Sequence, residues 1–204
     1  MASALDDVRH AGDGGRGALK LGLLATASLD FTPRLLRALA HEHPGMDVSI
    51  RNVAFDDPSG GVRSRDADVA LVWRPFDEHG LACEPLFTDE RVAVLPTDHP
   101  LAVHDVVDAR ELAEEPFVWV EDMDPVARNF WTLAEVRGGA PAKVGARITG
   151  FEDLFAAVRA GRAVAASPRS VTATLPWSDI TTRPIRGLAP AIVAACWQIG
   201  RAHV

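Results

Sequence analysis

Val69-Ala70-Leu71-Val72-Trp73 is an unbroken apolar run of strand length, and Val92-Ala93-Val94-Leu95, ending at Pro96, repeats it. A strand with no polar alternation needs cover on both faces, the condition of a parallel strand inside an α/β fold. The flanking segments fit that class. Leu21, Leu23 and Leu24 make a first strand, and Thr32 to Ala40 has helical spacing, with Thr32 placed to cap and Pro33 in the first turn. His43-Pro44-Gly45 stops this helix. Val48, Ile50 and Val53 carry the next strand, followed by Asp56-Asp57-Pro58-Ser59-Gly60-Gly61 as a turn or weak helix start.

A second α/β unit begins after His99-Pro100-Leu101. Phe117–Val120 is a strand, and Asp124-Pro125 opens a helix in which Val126, Phe130 and Leu133 share a face before Gly138-Gly139. Val144, Ala146 and Ile148 alternate as a strand. Thr149 and Glu152 form a capping box ahead of a helix with the stripe Phe151, Leu154, Phe155 and Val158, ended by Gly161. Ala163–Ala166, Ile180–Ile185 and Ala191–Trp197 complete the strands. At roughly 150 residues per domain, 204 residues allow one domain or two small lobes. With no low-complexity linker between the units, the expectation is two lobes joined by crossing strands.

Composition narrows the function classes. Acidic residues outnumber basic ones 28 to 21, and no run of Lys or Arg occurs, which argues against nucleic-acid binding by this surface. Residues 1–17 are polar and Gly-rich, without the apolar core of a secretory signal, and no stretch approaches 18 apolar residues. A cytoplasmic protein with no membrane contact is expected. Cys83 and Cys196, far apart and without a partner pattern, read as buried reduced thiols.

Few motifs carry chemistry. Gly12, Gly14 and Gly17 match a dinucleotide-binding pattern, but polar residues precede them and strand residues follow, so a linker is expected. His41 and His43, two apart at a helix end, cannot chelate one metal together, and His99 and His104 fall in a loop. The carboxylates Glu111, Glu114, Glu115, Glu121, Asp122 and Asp124 read as a solvated acidic face. No cofactor, metal or catalytic residue is therefore expected, and the chain is not read as an enzyme. Binding is the better reading. In open α/β sheets ligands sit off the C-terminal ends of strands. Those places hold Thr26 and Ser28, Phe55 and Asp56, Trp73, Asp124 to Val126, and Thr149 with Gly150. Hydroxyls and helix N–H groups there favour an anionic group such as a carboxylate, and Trp73 offers an aromatic wall or is simply core.

Glu84-Pro85-Leu86-Phe87-Thr88-Asp89-Glu90-Arg91-Val92-Ala93-Val94-Leu95-Pro96, with Asp98-His99-Pro100-Leu101-Ala102 after it, resembles the effector-binding domain of LysR-type transcriptional regulators. Leu19-Lys20-Leu21-Gly22, Pro33 with Leu35-Leu36, His43-Pro44-Gly45, Asp68–Val72, Val158–Gly161 and Ala166-Ser167-Pro168 stand in the family's order. The resemblance covers about residues 17 to 197 and implies two Rossmann-like α/β lobes with a cleft, like type 2 periplasmic binding proteins. Lobe one would be 18–96 plus 189–197, and lobe two 97–188. A small-molecule effector, a carboxylate or an aromatic metabolite, would sit between them, against the same five places.

The resemblance also implies a homodimer or tetramer, with the helix near Thr32–Ala40 packing on the Phe151–Ala160 helix of another subunit. Leu36, Leu39, Leu154 and Val158 are candidates for that interface or equally for the core. The family's winged helix-turn-helix and linker helix have no counterpart here. Residues 1–17 look like a linker remnant, so DNA would be met only through that missing domain. Residues 198–204 resemble the translation of a sequencing adapter and are expected to be a non-native tail, leaving lobe one short of its closing helix. A free-standing solute-binding protein of a transport system is the alternative. An enzyme on a similar scaffold is the third class.

Overall fold

Leu19, Leu21 and Leu23 recur at the two-residue period of a strand, and in the computed structural model they lie in β1 (Ala18–Leu24). The structure describes residues 17–24, 31–173 and 177–199. Helix α1 (Phe31–Glu42) covers one face of that strand. Phe31, Leu35 and Leu36, at helical spacing, pack with Leu21, Leu23 and Leu71. Thr32 was expected to cap this helix. It instead lies inside α1, 8% exposed, with its Oγ1 buried and unpartnered among the described residues.

The first sheet runs β2-β1-β3-β11-β4. Its strands are β1, β2 (Asp47–Val53), β3 (Val69–Arg74), β4 (Leu81–Asp89) and β11 (Ala191–Gln198). The β1 pairings to β2 and β3 are parallel, whereas β11 is antiparallel to both β3 and β4. The apolar run in β3 is buried as expected, with Ala70, Leu71, Val72 and Trp73 at 5% exposure or less. Residues 55–66 form successive turns rather than a helix.

The second sheet has the order β6-β10-β5-β9, with β5 (Arg91–Pro96), β6 (Val107–Asp108), β9 (Ala165–Pro168) and β10 (Ile180–Arg186). β5 thus pairs in the second sheet, although it was grouped by sequence with lobe one. An apolar run shows that a strand is covered, not which sheet it joins. Alongside lies a parallel pair, β7 (Phe117–Val120) and β8 (Val144–Ile148). A bridge from Phe117 to Val164, and a 3.0 Å bond from Val118 N–H to Val164 O, attach β7 to the segment entering β9. Helices α2 (Ala109–Ala113), α3 (Pro125–Trp131), α4 (Phe151–Arg159) and α5 (Arg169–Thr172) complete this half.

In α4 the expected stripe is inward, with Leu154, Phe155 and Val158 buried. Three of the proposed interface residues, Leu39, Leu154 and Val158, therefore fill this chain's own core. In α3 the inward residue is Ala127, while Val126 is 45% exposed and Leu133 follows the helix in a left-handed conformation.

The cysteines are not free thiols. Cys83 and Cys196 form a disulfide with Cα atoms 4.2 Å apart. The pairing register sets Cys196 directly opposite Cys83 on antiparallel strands β11 and β4. Close cross-strand pairs bring Cα atoms to about 4.5 Å, within reach of a disulfide. The 113 residues between them hide this in the sequence.

Candidate functional site

The C-terminal ends of β1, β3, β7 and β9 face a cavity of about 60 Å³ between the two sheets. From the first sheet come Leu24, Trp73 and, after β2, Phe55 and Pro58. From the half that holds the second sheet and the β7–β8 pair come Val118 and Val120 of β7, Met123, residues Ala127, Arg128 and Trp131 of α3, Phe151 and Leu154 of α4, and Ala166 to Pro168 of β9. Thr132 and Val171 close the remaining wall.

The aromatic residues are mutually braced. Trp73 meets Trp131 edge-on with ring centroids 6.4 Å apart, and Phe130 stands edge-on to Trp131 at 5.0 Å. Phe55 and Phe151 approach to 5.8 Å, so a side chain from each half meets across the opening. Among the described residues the wall is almost entirely apolar, and its one charged residue is Arg128. Arg128 Nη2 donates to Met123 O at 2.7 Å, and its Cζ lies 4.5 Å from the centre of the Trp119 ring. Among the described residues its buried Nε has no hydrogen-bond partner, and neither has the buried Nε1 of Trp73.

The sequence-named residues divide around this cavity. Thr26 and Ser28 lie outside the described residues, as do Gly12 and Gly14. Phe55 and Trp73 line the wall. Asp56 is exposed and away from it; in the same turn it is Asp57 that bonds, accepting from Ser59 N–H at 3.0 Å and Gly61 N–H at 2.9 Å. Val126 faces outward, and its neighbours Ala127 and Arg128 take the inward positions.

Asp124, Thr149 and Gly150 stand at helix starts, where capping was expected of Asp124 and Thr149. Asp124 caps α3, accepting from Ala127 N–H at 2.9 Å, and its other oxygen accepts from Asp77 N–H at 3.4 Å. At α4 the capping carboxylate is Asp153, not the expected Glu152. Its Oδ2 accepts from Thr149 N–H at 3.3 Å and Gly150 N–H at 3.1 Å, which holds its pKa below the ordinary carboxylate value. Asp124 thus meets one first-turn N–H of α3, whereas Asp153 bonds the Thr149 and Gly150 N–H groups that precede α4 and leaves the first turn of that helix without a side-chain cap among the described residues. Arg128 is the charged side chain at the wall among the described residues, and the sequence reading did not name it. Arg128 stands four residues after Asp124, one helical turn along, and this spacing was the available signal.

The family model for the LysR substrate binding domain matches residues 12–203. Among curated relatives, the transcriptional dual regulator GltC of Bacillus subtilis is 29% identical over 104 residues, 50% of this chain and 35% of GltC. The chain spans about a third of the length of the first curated relatives it matches. Two solved structures share the fold. The effector-binding domain of QuiR in complex with shikimate has a TM-score of 0.74 at 18% identity, covering 93% of this chain and 90% of that one. The CcmR regulatory domain from Synechocystis PCC6803 in complex with 2-PG has a TM-score of 0.70 at 21% identity, covering 92% and 90%. With two α/β halves, a cavity at their strand ends and a family match along nearly its whole length, the chain belongs to the LysR substrate-binding domain family.

Proposed function

We propose that this chain is the effector-sensing part of a bacterial LysR-type transcriptional regulator, acting in the cytoplasm. A small molecule enters the cavity between the halves and biases their arrangement. That shift is transmitted to a winged helix-turn-helix domain, which makes the DNA contacts, within a homodimer or tetramer. The observation that carries this reading is the cavity itself. Trp73, Phe55 and Leu24 from one sheet face Arg128, Trp131 and Phe151 from the other across it. A molecule bound there touches both halves at once, which couples occupancy to their relative position. The two sheets, divided near residue 90 and again near residue 189, serve as the lobes.

The ligand is a small carboxylate or aromatic metabolite, in keeping with the aromatic wall and with Arg128, its single cation among the described residues. A thermal-shift screen of the purified chain against carboxylates, aromatics, amino acids and sugars tests the reading. A ligand that binds only the folded state raises the melting temperature with concentration. The expected result is a saturable hit that is lost in Trp73→Ala. No saturable ligand from any class, in a chain that melts cooperatively, overturns the reading.

A further inference from the structure

We infer that the ligand of this cavity is an apolar monocarboxylate, with Arg128 as its counter-charge and the Trp73 indole N–H as a second donor. The inference rests on the proposed effector cavity and names the chemistry that fits it. Among the described residues every other lining side chain is apolar except Thr132 and Ser167 and the indole of Trp131. Thr132 Oγ1 already donates to Arg128 O at 2.8 Å. The body of the ligand is therefore hydrocarbon in character, flat or branched, and it meets Trp73, Trp131, Phe55 and Phe151 once the halves part, because about 60 Å³ is less than the roughly 150 Å³ of a benzene-binding cavity.

The polar end is fixed by what the wall leaves unsatisfied. Trp73 is 5% exposed, and among the described residues its Nε1–H has no acceptor and the buried Arg128 Nε–H has none. A buried donor without a partner is costly, and a ligand carboxylate at Arg128 that reached either N–H would relieve that cost. Arg128 forms no ion pair with a carboxylate among the described residues; its neighbours are Met123 O and the Trp119 ring. One unneutralised cation matches one negative charge. A dicarboxylate or a phosphate dianion would bury a second charge with no partner. At the start of α3 the Ala127 N–H is already taken by Asp124.

The test uses acid–amide pairs of equal shape: benzoate with benzamide, phenylacetate with phenylacetamide, and isovalerate with isovaleramide. Phthalate supplies the dianion, and titrations are made on the whole chain at pH 7.5. In at least one pair the acid binds saturably and its amide roughly ten-fold weaker or worse, as expected for loss of a charge-assisted hydrogen bond. Arg128→Gln removes that preference, Arg128→Lys retains part of it, and Trp73→Phe weakens the acid with the melting temperature of the free protein as the folding control. Equal binding of acid and amide, or an acid preference that survives Arg128→Gln, overturns the inference. If no pair binds while another class gives a saturable cavity ligand, the ligand class falls and the effector cavity stands. If nothing of any class binds, both fall.

Discussion

Arg91 Nε donates to Ala189 O across 2.9 Å, fastening together the two segments in which the chain crosses between the sheets. The same guanidinium donates to Phe130 O at 2.8 Å and pairs with Glu135 Oε1 at 2.5 Å, and it stacks 3.8 Å from the Phe130 ring centre. Its side chain is 1% exposed, whereas that of Glu135 is 42% exposed. Burial lowers the Arg91 pKa from its ordinary value, and the hydrogen bond and charge of Glu135 oppose that shift. Arg91→Met is expected to destabilise the chain by about 3 kcal/mol, because it orphans two carbonyl groups and the stacking contact. Glu135→Ala should cost about 1 kcal/mol, since solvent screens that partner. Urea unfolding of both variants measures the difference, and equal losses would refute the assignment of the strength to the backbone contacts.

Gly22 tests the packing of β1 on the turn beneath it. A Cβ at Gly22 would stand 1.9 Å from Gly60 O and 3.0 Å from Ala67 Cβ. Gly60 has a φ of +66°, so the backbone that would have to move is held in the left-handed region. Gly22→Ala is expected to lose about 3 kcal/mol, the upper range for overpacking a tight site. A melting temperature within a degree of the parent would show that the turn moves freely.

The disulfide predicts a clear response to reductant. It closes a segment of 113 residues, and a link of that span stabilises a fold by about 2–4 kcal/mol. Intact-mass measurement after alkylation should find no free thiol in the purified chain and two after reduction. The melting temperature should fall on reduction in the parent and stay unchanged in a Cys83→Ser/Cys196→Ser double variant. Two alkylated thiols without reductant would contradict the pairing.

Asp153 gives a pH signature at the start of α4. Its folded pKa is lowered by hydrogen bonds from the Thr149 and Gly150 N–H groups. A depressed carboxyl contributes stability that is fully present above its unfolded pKa of about 4 and is lost as pH falls through its lower folded value. Asp153→Asn should therefore be less stable than the parent at neutral pH, with the gap closing only under strongly acidic conditions. Unfolding curves from pH 7 down to pH 2 follow the gap, and a constant difference across that range would rule out the capping charge.

The strands carrying the apolar runs were legible because full burial leaves an unbroken hydrophobic stretch: β3, β5 and β7 all show it. The α4 stripe was legible for the matching helical reason. β4 was not, since an edge strand carrying Glu84, Pro85 and Thr88 is largely open to solvent and shows no such run. Register between distant strands leaves no local trace, which is why the Cys83–Cys196 pair was hidden. At the cavity, Phe55 and Trp73 could be named because strand ends set their place. Asp56 and Val126 are exposed neighbours of wall-forming segments, and the choice between adjacent residues depends on which way the backbone turns. Asp124, Thr149 and Gly150 carry the residue types of an anion site, and those same types cap helices.

The most direct test of the effector cavity fills it from a residue whose substitution leaves the polar groups in place. Ala127 is 2% exposed, lines the wall and stands beside Arg128. Isothermal titration of the best ligand from the screen is compared between the parent and Ala127→Phe, with circular dichroism confirming that the variant is folded. The account predicts that a folded Ala127→Phe chain loses binding by roughly a hundred-fold or more, as steric exclusion from a closed apolar site demands. Unchanged affinity in the folded variant would place the ligand elsewhere and contradict the cavity between the sheets as the sensing site.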